Sequence, residues 1–268
     1  MTKVDREASG ISYDRCVQYT FFMKKIERKN KGKNIEQENP KKGNIEGNIK
    51  WLVGVDEVGR GPLAGPVAVC ACAIPYHKNV KESYKKFLRM HEKEIKLLTL
   101  PSLHMRDSKK LSAFQREQWK EFLKRSHAFF AYTTASAKEI DTKGIAVCIK
   151  KLIQKNLESI LKKHTATSSE ILIVLDGGLK APKNFLMQQT IIKGDEKEMV
   201  ISFASIFAKV TRDEYMKKIS IKNDFRDYKF EIHKGYGTAA HRNLIGRLGL
   251  SSLHRRSFCT RIVTEPKI

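Results

Sequence analysis

The sequence is poor in several features that define whole classes of protein. Its five cysteines are odd in number and form no C-x-x-C pair, which argues against a zinc site or a disulfide scaffold and favours a reducing compartment. No apolar run approaches the roughly 18 residues that a membrane-spanning helix needs. The N-terminus lacks an apolar core, so no secretory signal is expected. We therefore expect a cytoplasmic protein without a membrane partner. The cysteines are Cys16, Cys70, Cys72, Cys148 and Cys259.

Acidic residues are also in the minority. The 268 residues include 52 lysines and arginines against 29 aspartates and glutamates, a formal net charge of +23. Such a balance predicts attraction to polyanions, with nucleic acid first and anionic membrane surfaces second. A basic protein without a polyanionic partner is the plainer alternative. The apolar content of 41% is sufficient for a substantial core.

Composition divides the chain into three parts. Residues 1–50 hold 12 lysines and arginines, 7 acidic residues and few aliphatic ones, and are predicted to form a basic, mostly disordered arm. A folded domain is expected over 51–220, with a Lys/Glu-rich insertion at 76–106 that contains some helix. Residues 221–268 are predicted to form a C-terminal helical segment. Because no heptad pattern indicates a coiled coil, a monomer is expected.

Apolar patterning predicts an α/β fold. Continuous or alternating apolar runs indicate strands, and apolar stripes at a spacing of three or four residues indicate helices. Ser112 is predicted to cap one helix, and a longer helix is expected to begin near Asp141. The order β-β-β-α-β-α-β-α favours a mixed sheet with helices on both faces and a C-terminal helical appendage. Strands are predicted over 51–55, 67–74, 127–134, 171–175 and 190–193, and helices within 80–98 and over 199–220.

Two of the predicted strands end in acidic residues. Asp56 and Glu57 follow the run 51–55, and Asp176 follows the run 171–175. Sites in open α/β sheets gather at the carboxyl ends of strands, so two such strands side by side would bring these carboxylates together. Asp195, after the short strand at 190–193, is a candidate fourth ligand.

Carboxylates placed close together are costly unless a cation lies between them. Oxygen ligands without nearby histidine or cysteine favour Mg²⁺ or Mn²⁺ over zinc. The matching chemistry is two-metal phosphoryl transfer, in which ions about 4 Å apart activate water and stabilise the leaving oxygen. Taken singly, Asp176 in an Asp-Gly pair is most often a turn residue. Asp213 is interpreted as an ion-pair partner of Arg212 or of a neighbouring lysine, with support of the metal site as the alternative.

Seven motifs carry a family resemblance that covers roughly residues 51–258. In order they read Asp56-Glu57-Val-Gly59-Arg60-Gly61-Pro-Leu-Ala-Gly-Pro-Val67, Asp107-Ser-Lys109-Lys110-Leu-Ser112, Val174-Leu-Asp176-Gly177, Lys193-Gly194-Asp195, Ala204-Ser-Ile-Phe-Ala-Lys209-Val-Thr-Arg212-Asp213, His233-Lys234-Gly-Tyr236-Gly-Thr238 and His254-Arg255-Arg256-Ser257-Phe258. Together they resemble ribonuclease HII, the type 2 ribonuclease H family. The resemblance implies a ribonuclease H-like fold, with a mixed five-stranded sheet flanked by helices. It also makes 51–220 the catalytic domain and 221–268 a substrate-binding segment.

The resemblance further implies an activity and a set of catalytic acids. Asp56, Glu57 and Asp176 match the metal ligands of the family, and Asp195 matches its fourth catalytic acid. The implied substrates are RNA–DNA hybrids and duplex DNA that contains ribonucleotides. Cleavage is expected on the 5′ side of a ribonucleotide and would leave 3′-hydroxyl and 5′-phosphate ends, as in ribonucleotide and primer removal.

Substrate recognition is also implied by the resemblance. Gly59, Arg60 and Gly61 are similar to the motif that reads the 2′-hydroxyl at a ribonucleotide–deoxyribonucleotide junction, and Tyr236 to the tyrosine that packs against the junction sugar. A glycine-flanked backbone can approach a ribose closely, and the 2′-hydroxyl is what distinguishes RNA from DNA. Each basic residue of the motifs is either a phosphate contact or a solvated surface charge. The candidate phosphate contacts are Lys109, Lys110, Lys193, Lys209, Lys234 and Arg255.

Three alternatives remain open from the residues. A dinucleotide-binding fold would use Gly59, Gly61 and Gly65, but their spacing misses the G-x-G-x-x-G pattern by one residue and Pro62 intrudes. A non-catalytic nucleic-acid-binding protein would explain the charge but not the clustered acids. A type 1 ribonuclease H or a recombinase would share the fold and the metal site. The segments 1–50 and 76–106 are longer than the usual family pattern, and the helix opening at 140–145 differs from it.

Overall fold

The protein is built on one mixed sheet. A computed structural model describes residues 48–97 and 111–264, and its strands follow the order β3-β2-β1-β4-β5 across the sheet. The first strand is antiparallel to the second and parallel to the fourth, while the remaining pairs are antiparallel for β2–β3 and parallel for β4–β5. The strands are β1 (Trp51–Val58), β2 (Val67–Pro75), β3 (Phe129–Ala135), β4 (Ile171–Asp176) and β5 (Gln188–Ile191).

Helices cover both faces of the sheet. The described helices are α1 (Val80–Met90), α2 (Glu92–Leu97), α3 (Ala113–Arg125), α4 (Ala137–Lys143), α5 (Ile145–His164), α6 (Gly194–Lys197), α7 (Met199–Ser220), α8 (Phe230–His233), α9 (Ala239–Leu248) and α10 (Arg256–Thr264), with 3₁₀ turns at Ser168–Glu170 and Asn223–Tyr228. This arrangement confirms the predicted mixed five-stranded sheet with flanking helices and a C-terminal helical appendage.

The two long helices lie on opposite faces of β1. Val53 and Val55 belong to the same buried cluster as the apolar residues of α5. Gly54 points to the other face, where a Cβ would lie 2.4 Å from the backbone of Val200 at the start of α7. Alternate residues of a strand face opposite sides of the sheet, so Asp56 shares the α7 face with Gly54. The glycine lets α7 approach β1 closely, two residues before the first carboxylate.

Residues between the C-terminal helices contact the turn that joins β1 to β2. Ala64 forms an isolated β-bridge with His254, and Gly65 N–H donates to the carbonyl of Leu253 at 2.9 Å. The N–H of Leu63 donates to the carbonyl of Gly235 at 2.8 Å. The turn over residues 59–66 therefore lies between the end of β1 and the C-terminal segment, and its conformation depends on both.

Several boundaries differ from those predicted. The longer helix expected to begin near Asp141 is α5, which begins at Ile145. Asp141 belongs to the separate short helix α4, which begins at Ala137 because Ser136 and Glu139 form a capping box there, and Gly144 at φ 79° divides the two helices. The element order implied a helix between β4 and β5, and the described chain has only an irregular connection there. The fifth strand lies at 188–191 because Lys193 is already in the left-handed conformation that precedes α6.

Other sequence predictions are confirmed. The helix α7 spans Met199–Ser220 as expected, and Ser112 caps α3 through a bond from Gln115 N–H. The described part of the segment 76–106 contains the helices α1 and α2, as predicted. Within 48–97 and 111–264, no helix is long and apolar enough to span a bilayer. The predicted arm, except for 48–50, and Lys109 and Lys110 lie outside the described residues.

Candidate active site

The carboxyl ends of β1 and β4 bring two aspartates side by side. The parallel register pairs Val55 with Leu175, so Asp56 and Asp176 are the next residues of two hydrogen-bonded neighbours. Asp56 is buried at 7% exposure, and its Oδ1 accepts from Glu57 N–H at 2.8 Å. The expected meeting of these acids is therefore present, although both belong to the strands rather than follow them: Asp56 lies two residues before the end of β1, and Asp176 is the last residue of β4.

Asp195 reaches the same place through a short helix. The Oδ1 of Asp176 accepts from the N–H of Gly194 at 2.5 Å, which ties the start of α6 to the end of β4. A Cβ on Gly194 would lie 2.6 Å from Ile201 Cδ1 and 3.2 Å from Asp176 Oδ1. Glycine is thus needed for this approach, and it places the next residue, Asp195, beside Asp176 at 1% exposure.

The surroundings of Asp56 and Glu57 are unfavourable to their ionised forms. Burial raises the pKa of Asp56 well above its usual range, and the neighbouring charge of Asp176 adds to this increase, while a hydrogen bond with Ser205 opposes it. Glu57 and Asp195 raise the pKa of Asp56 further. Burial also raises the pKa of Glu57, and Arg60 opposes that shift. Mutual repulsion in a buried site is what a bound cation relieves.

The four carboxylates line one cleft of about 440 Å³. In the described ranges, no group of three or more histidine, cysteine, aspartate or glutamate side chains is arranged so that it could hold a metal ion as it stands. The donor chemistry nevertheless fits Mg²⁺ or Mn²⁺, because hard cations take carboxylate oxygens and the acids repel one another. The lining residues are Asp56, Glu57, Val58, Gly59, Arg116, Asp176, Asp195, Ser205, Lys209 and Tyr236.

Two polar lining residues, Ser205 and Arg116, were not singled out from the sequence. Ser205 lies on α7 and hydrogen-bonds to Asp56, and Arg116 reaches the cleft from α3. The NH1 of Arg116 also donates to the carbonyl of Leu111. Ser205 belongs to the quoted 204–213 motif, so the motif carried a signal for it, whereas Arg116 had no signal because its helix is separated from the acids in sequence.

An aromatic and a basic side chain, Tyr236 and Lys209, line the same cleft. Tyr236 is 38% exposed; Lys209 Nζ lies 5.5 Å and the guanidinium carbon of Arg212 lies 5.8 Å from the centre of its ring. Lys209 Nζ also lies 3.0 Å from Asp213 Oδ1. Asp213 therefore pairs with a lysine on its own helix, which agrees with its interpretation as an ion-pair partner.

The turn after β1 presents two glycines in different ways. Gly59 has φ +79°, and a Cβ there would lie 2.3 Å from Arg212 Nε, so both the backbone and the packing require glycine. Gly61 has no heavy atom within 4 Å of the position of a Cβ, so nothing in the described protein requires its lack of a side chain. Arg60 between them is exposed, and its NH1 lies 3.5 Å from Glu57 Oε1.

The other basic residues predicted to contact phosphate differ in their exposure to solvent. Lys193 is exposed. Lys234 is partly buried, and its Nζ donates to the carbonyl of Glu231. The expectation that Arg255 contacts phosphate is wrong, because its side chain is fully buried and donates to the carbonyls of Gly59, Arg60 and Gly65.

Solved structures of other proteins share this fold. The ribonuclease H2 of Pyrococcus horikoshii OT3 superposes with a TM-score of 0.55 at 22% identity, over 80% of this chain and all of that one. The ribonuclease HII in the PCNA complex from Archaeoglobus fulgidus gives 0.56 at 21% identity, over 80% and 98% of the two chains. A Bst ribonuclease HIII in complex with Mn²⁺ gives 0.57 at 17% identity, over 86% and 75%. The fold is that of the ribonucleases H.

Sequence comparison then narrows the class. The ribonuclease HII family profile matches residues 53–261. The ribonuclease HII of Clostridium beijerinckii is 34% identical over 81% of this chain and 70% of its own length. That of Staphylococcus aureus strain Newman is 35% identical over 77% and 69%. The chain belongs to the ribonuclease HII family, and it is an endonuclease of the ribonuclease H type that acts on RNA–DNA hybrids.

Proposed function

We propose that this enzyme cuts on the 5′ side of ribonucleotides embedded in duplex DNA, as well as in continuous hybrids, and leaves 3′-hydroxyl and 5′-phosphate ends. The observation that carries the proposal is the pairing of two features across one cleft. Strand-end carboxylates line it together with Gly59 of the turn and Tyr236. The carboxylates suit phosphodiester hydrolysis, and the turn together with Tyr236 suits the recognition of one sugar.

The acidic side of the cleft is proposed to hold two divalent cations, Mg²⁺ or Mn²⁺. Asp56, Glu57, Asp176 and Asp195 would be the ligands. When bound, such ions lower the pKa of the attacking water and offset the charge that develops on the phosphate and the leaving oxygen. The buried position of Asp56 and its hydrogen bond with Ser205 fix the direction of its carboxylate. The N–H of Gly194 does the same for Asp176.

The glycine turn is proposed to test for a 2′-hydroxyl. A backbone can approach a ribose only where no side chain intervenes, and the open space beside Gly61 supports such an approach. A 2′-hydroxyl can both donate and accept hydrogen bonds, so a rigid turn with N–H groups free to donate can distinguish it from a hydrogen atom. Arg60 is exposed at the same turn and is available for an adjacent phosphate.

Tyr236 is proposed to pack against the sugar that follows the ribonucleotide. Its ring forms part of the cleft wall, and Lys209 and Arg212 lie within 6 Å of the ring centre. The flat face of the ring would contact a deoxyribose, and a 2′-hydroxyl at that position would clash. Lys209, Lys193 and Lys234 are proposed phosphate contacts, and Lys109 and Lys110 are proposed in the same role from the motif alone.

The domain roles follow from the same proposal. Residues 51–220 would carry catalysis, and residues 221–268 would bind substrate next to Tyr236. The basic arm at 1–50 would add contacts to phosphates that are independent of sequence. We also propose that the enzyme acts as a monomer in the cytoplasm. A deletion of 1–50 would then weaken binding mainly at low salt, and an unchanged salt dependence would exclude a contact between the arm and the substrate.

The deciding experiment is an incision assay on labelled duplex DNA with one internal ribonucleotide. Three matched reactions contain Mg²⁺, Mn²⁺ or EDTA, and a continuous RNA–DNA hybrid serves as the second substrate. We expect metal-dependent incision on the 5′ side of the ribonucleotide, with ends that a polymerase can extend. If only the continuous hybrid is cut, the metal site stands and the proposed role of the turn and Tyr236 is wrong. If neither is cut, the proposed catalytic role fails.

A further inference from the structure

Two arginines are buried directly behind the glycine turn. Arg212 on α7 and Arg255 just before α10 are both at 0% exposure. In the described part of the chain, no carboxylate oxygen lies within 4.0 Å of either guanidinium. Burial and the neighbouring Arg212 lower the pKa of Arg255 to about 10, which still leaves it protonated at neutral pH. Buried cations usually pair with acids, so these two require another explanation.

Backbone carbonyls of the turn take the place of the missing acids. Arg255 donates from Nε to Gly65 at 3.0 Å, from NH1 to Arg60 at 3.0 Å and from NH2 to Gly59 at 2.6 Å. Arg212 donates to the carbonyls of Pro66, Ala64 and Lys234 at 3.0–3.2 Å. A guanidinium has five N–H donors in a rigid plane, so each arginine fixes several peptide groups at once.

The bonds to Arg255 determine where the neighbouring N–H groups point. In a planar trans peptide, the C=O of one residue and the N–H of the next point in opposite directions. The carbonyls of Gly59 and Arg60 point inward to Arg255, so the N–H groups of Arg60 and Gly61 point outward. Among the described residues, neither N–H has a hydrogen-bond acceptor, and the space beside Gly61 is open.

We propose that Arg255 is a positioning residue that sets the selectivity for a 2′-hydroxyl by holding these two N–H groups outward. The proposal rests on the proposed function, because it concerns how the turn recognises the ribonucleotide. Arg212 supports the second recognition element in a similar way. It binds the carbonyl of Lys234, two residues before Tyr236, so both elements are held by buried guanidinium groups rather than by their own side chains.

The test compares two substrates that differ only at one sugar. One duplex carries a ribonucleotide and the other carries a 2′-deoxy-2′-fluoro nucleotide at the same position, and incision is followed in single-turnover reactions with excess enzyme. The variant is Arg255→Lys, which keeps the positive charge but cannot hold three carbonyls. The matched control is Arg89→Lys, because Arg89 is an exposed arginine on α1 that lies outside the family motifs.

The ratio of the two incision rates is the informative quantity. A ratio cancels the fraction of active enzyme, so partial misfolding does not change it. We expect the wild type to prefer the ribonucleotide at least 100-fold, Arg255→Lys to reduce this preference at least tenfold, and Arg89→Lys to keep it within twofold. Arg255→Gln, which removes the charge but keeps two donors, provides the second variant if the lysine protein does not fold.

The two proposals fail in different ways. If the wild type does not incise at the ribonucleotide, the proposed function is wrong. If the wild type does so and the Arg255 variants slow both substrates by the same factor, the arginine has only a structural role and the inference is overturned.

Discussion

The two walls of the cleft handle buried charge in opposite ways. On the acidic wall, Asp56 and Asp195 are buried next to other carboxylates, and the nearest charges raise the pKa of Asp56 rather than stabilise its ionised form. On the wall formed by the glycine turn, Arg212 and Arg255 are buried as deeply, yet six backbone carbonyls accept their hydrogen bonds.

This difference separates a functional charge from a structural one. Buried charges that the protein itself satisfies contribute to stability, and their removal leaves orphaned partners. Buried charges that the protein leaves in mutual repulsion lower stability, and they persist because something outside the chain uses them. The acidic wall therefore points to a ligand, whereas the arginines point to a backbone that has to be held in one conformation.

The largest expected effect comes from the acidic wall. We expect Asp56→Asn and Asp176→Asn to reduce incision by at least ~10³-fold, because each removes a charge that would hold a cation. The free energy of unfolding of Asp56→Asn without metal should be unchanged or higher, since the substitution removes a buried charge that its neighbours repel. Single-turnover incision and urea unfolding measure the two effects separately.

A matched control for this prediction is Glu158→Gln. Glu158 is exposed on α5, on the opposite face of the sheet from Asp56, and its substitution should leave both quantities unchanged. Near-normal incision by Asp56→Asn with Mg²⁺, or a marked loss of stability together with activity, would contradict the view that this acid is kept for its function.

The two glycines of the turn test the same distinction between a structural and a functional residue within a single loop. Gly59→Ala should lower the free energy of unfolding by about 3 kcal/mol, because its φ of +79° is unfavourable for alanine and its Cβ would lie 2.3 Å from Arg212 Nε. Gly61→Ala should change stability by less than ~1 kcal/mol, since the space around it is open, and yet reduce incision at a ribonucleotide by ~10²-fold. Thermal unfolding measures the stability of both variants, and incision assays measure their activity. Equal stability losses would mean that Gly61 is a structural residue like Gly59.

Most of the fold could be predicted because its signals are local. The fully apolar runs of β1 and β4 and the long helix α7 each specify their own structure. Errors occurred where a boundary depended on short polar signals, as at the Ser136–Glu139 capping box. A second error is the helix that the predicted element order implied between β4 and β5, where the chain forms an irregular connection instead.

The candidate site was predictable only in part. Asp56 and Asp176 could be placed together because the ends of buried strands meet at one edge of a sheet. Arg116 could not, because nothing in its helix indicates that it faces the acids. Arg255 was misjudged as a phosphate contact, because a basic residue in a basic motif does not reveal whether its side chain is exposed or bound to carbonyls 190 to 196 residues away in sequence.

Three buried histidines near the turn, His233, His241 and His254, should make the stability of the protein depend on pH. His241 Nδ1–H donates to the carbonyl of Tyr236 at 2.9 Å, and the Nε2 atoms of His241 and His254 lie 3.1 Å apart. Ser251 N–H donates to His254 Nδ1, so only the neutral rings satisfy every bond, and protonation of His241 would set two N–H groups against each other. Burial lowers the pKa of His241 and of His254 to about 4, and it also lowers the pKa of His233.

The sign of the stability change follows from these shifts. A histidine with a folded pKa of about 4 and an unfolded pKa near 6.5 binds more protons when unfolded, so its contribution is complete above pH 6.5 and is lost as pH falls towards 4. Between pH 7.5 and 5.0, we expect the free energy of unfolding to fall by about 2 kcal/mol for each such residue. Urea unfolding should show a shallower pH dependence for His241→Gln, and the same slope in both proteins would contradict this account.

The smallest expected effect concerns exposed charge, which neither wall of the cleft buries. Lys193 is exposed and immediately precedes Gly194 and Asp195, so a phosphate bound near the acids could contact it. Lys193→Gln should lower affinity only a few-fold, but it should reduce the slope of log Kd against log salt by about 0.9, the value for one lost phosphate contact on duplex DNA.

Lys162→Gln is the control, because this exposed residue lies near the end of α5, where His164 stacks on Trp51 at the far end of β1. Binding measured between 50 and 200 mM salt, with Ca²⁺ in place of the catalytic cation, separates the two lysines. Identical slopes for both variants would mean that Lys193 is a solvated surface charge, whereas a reduced slope for Lys193→Gln alone would extend the substrate path from the carboxylates onto the start of α6.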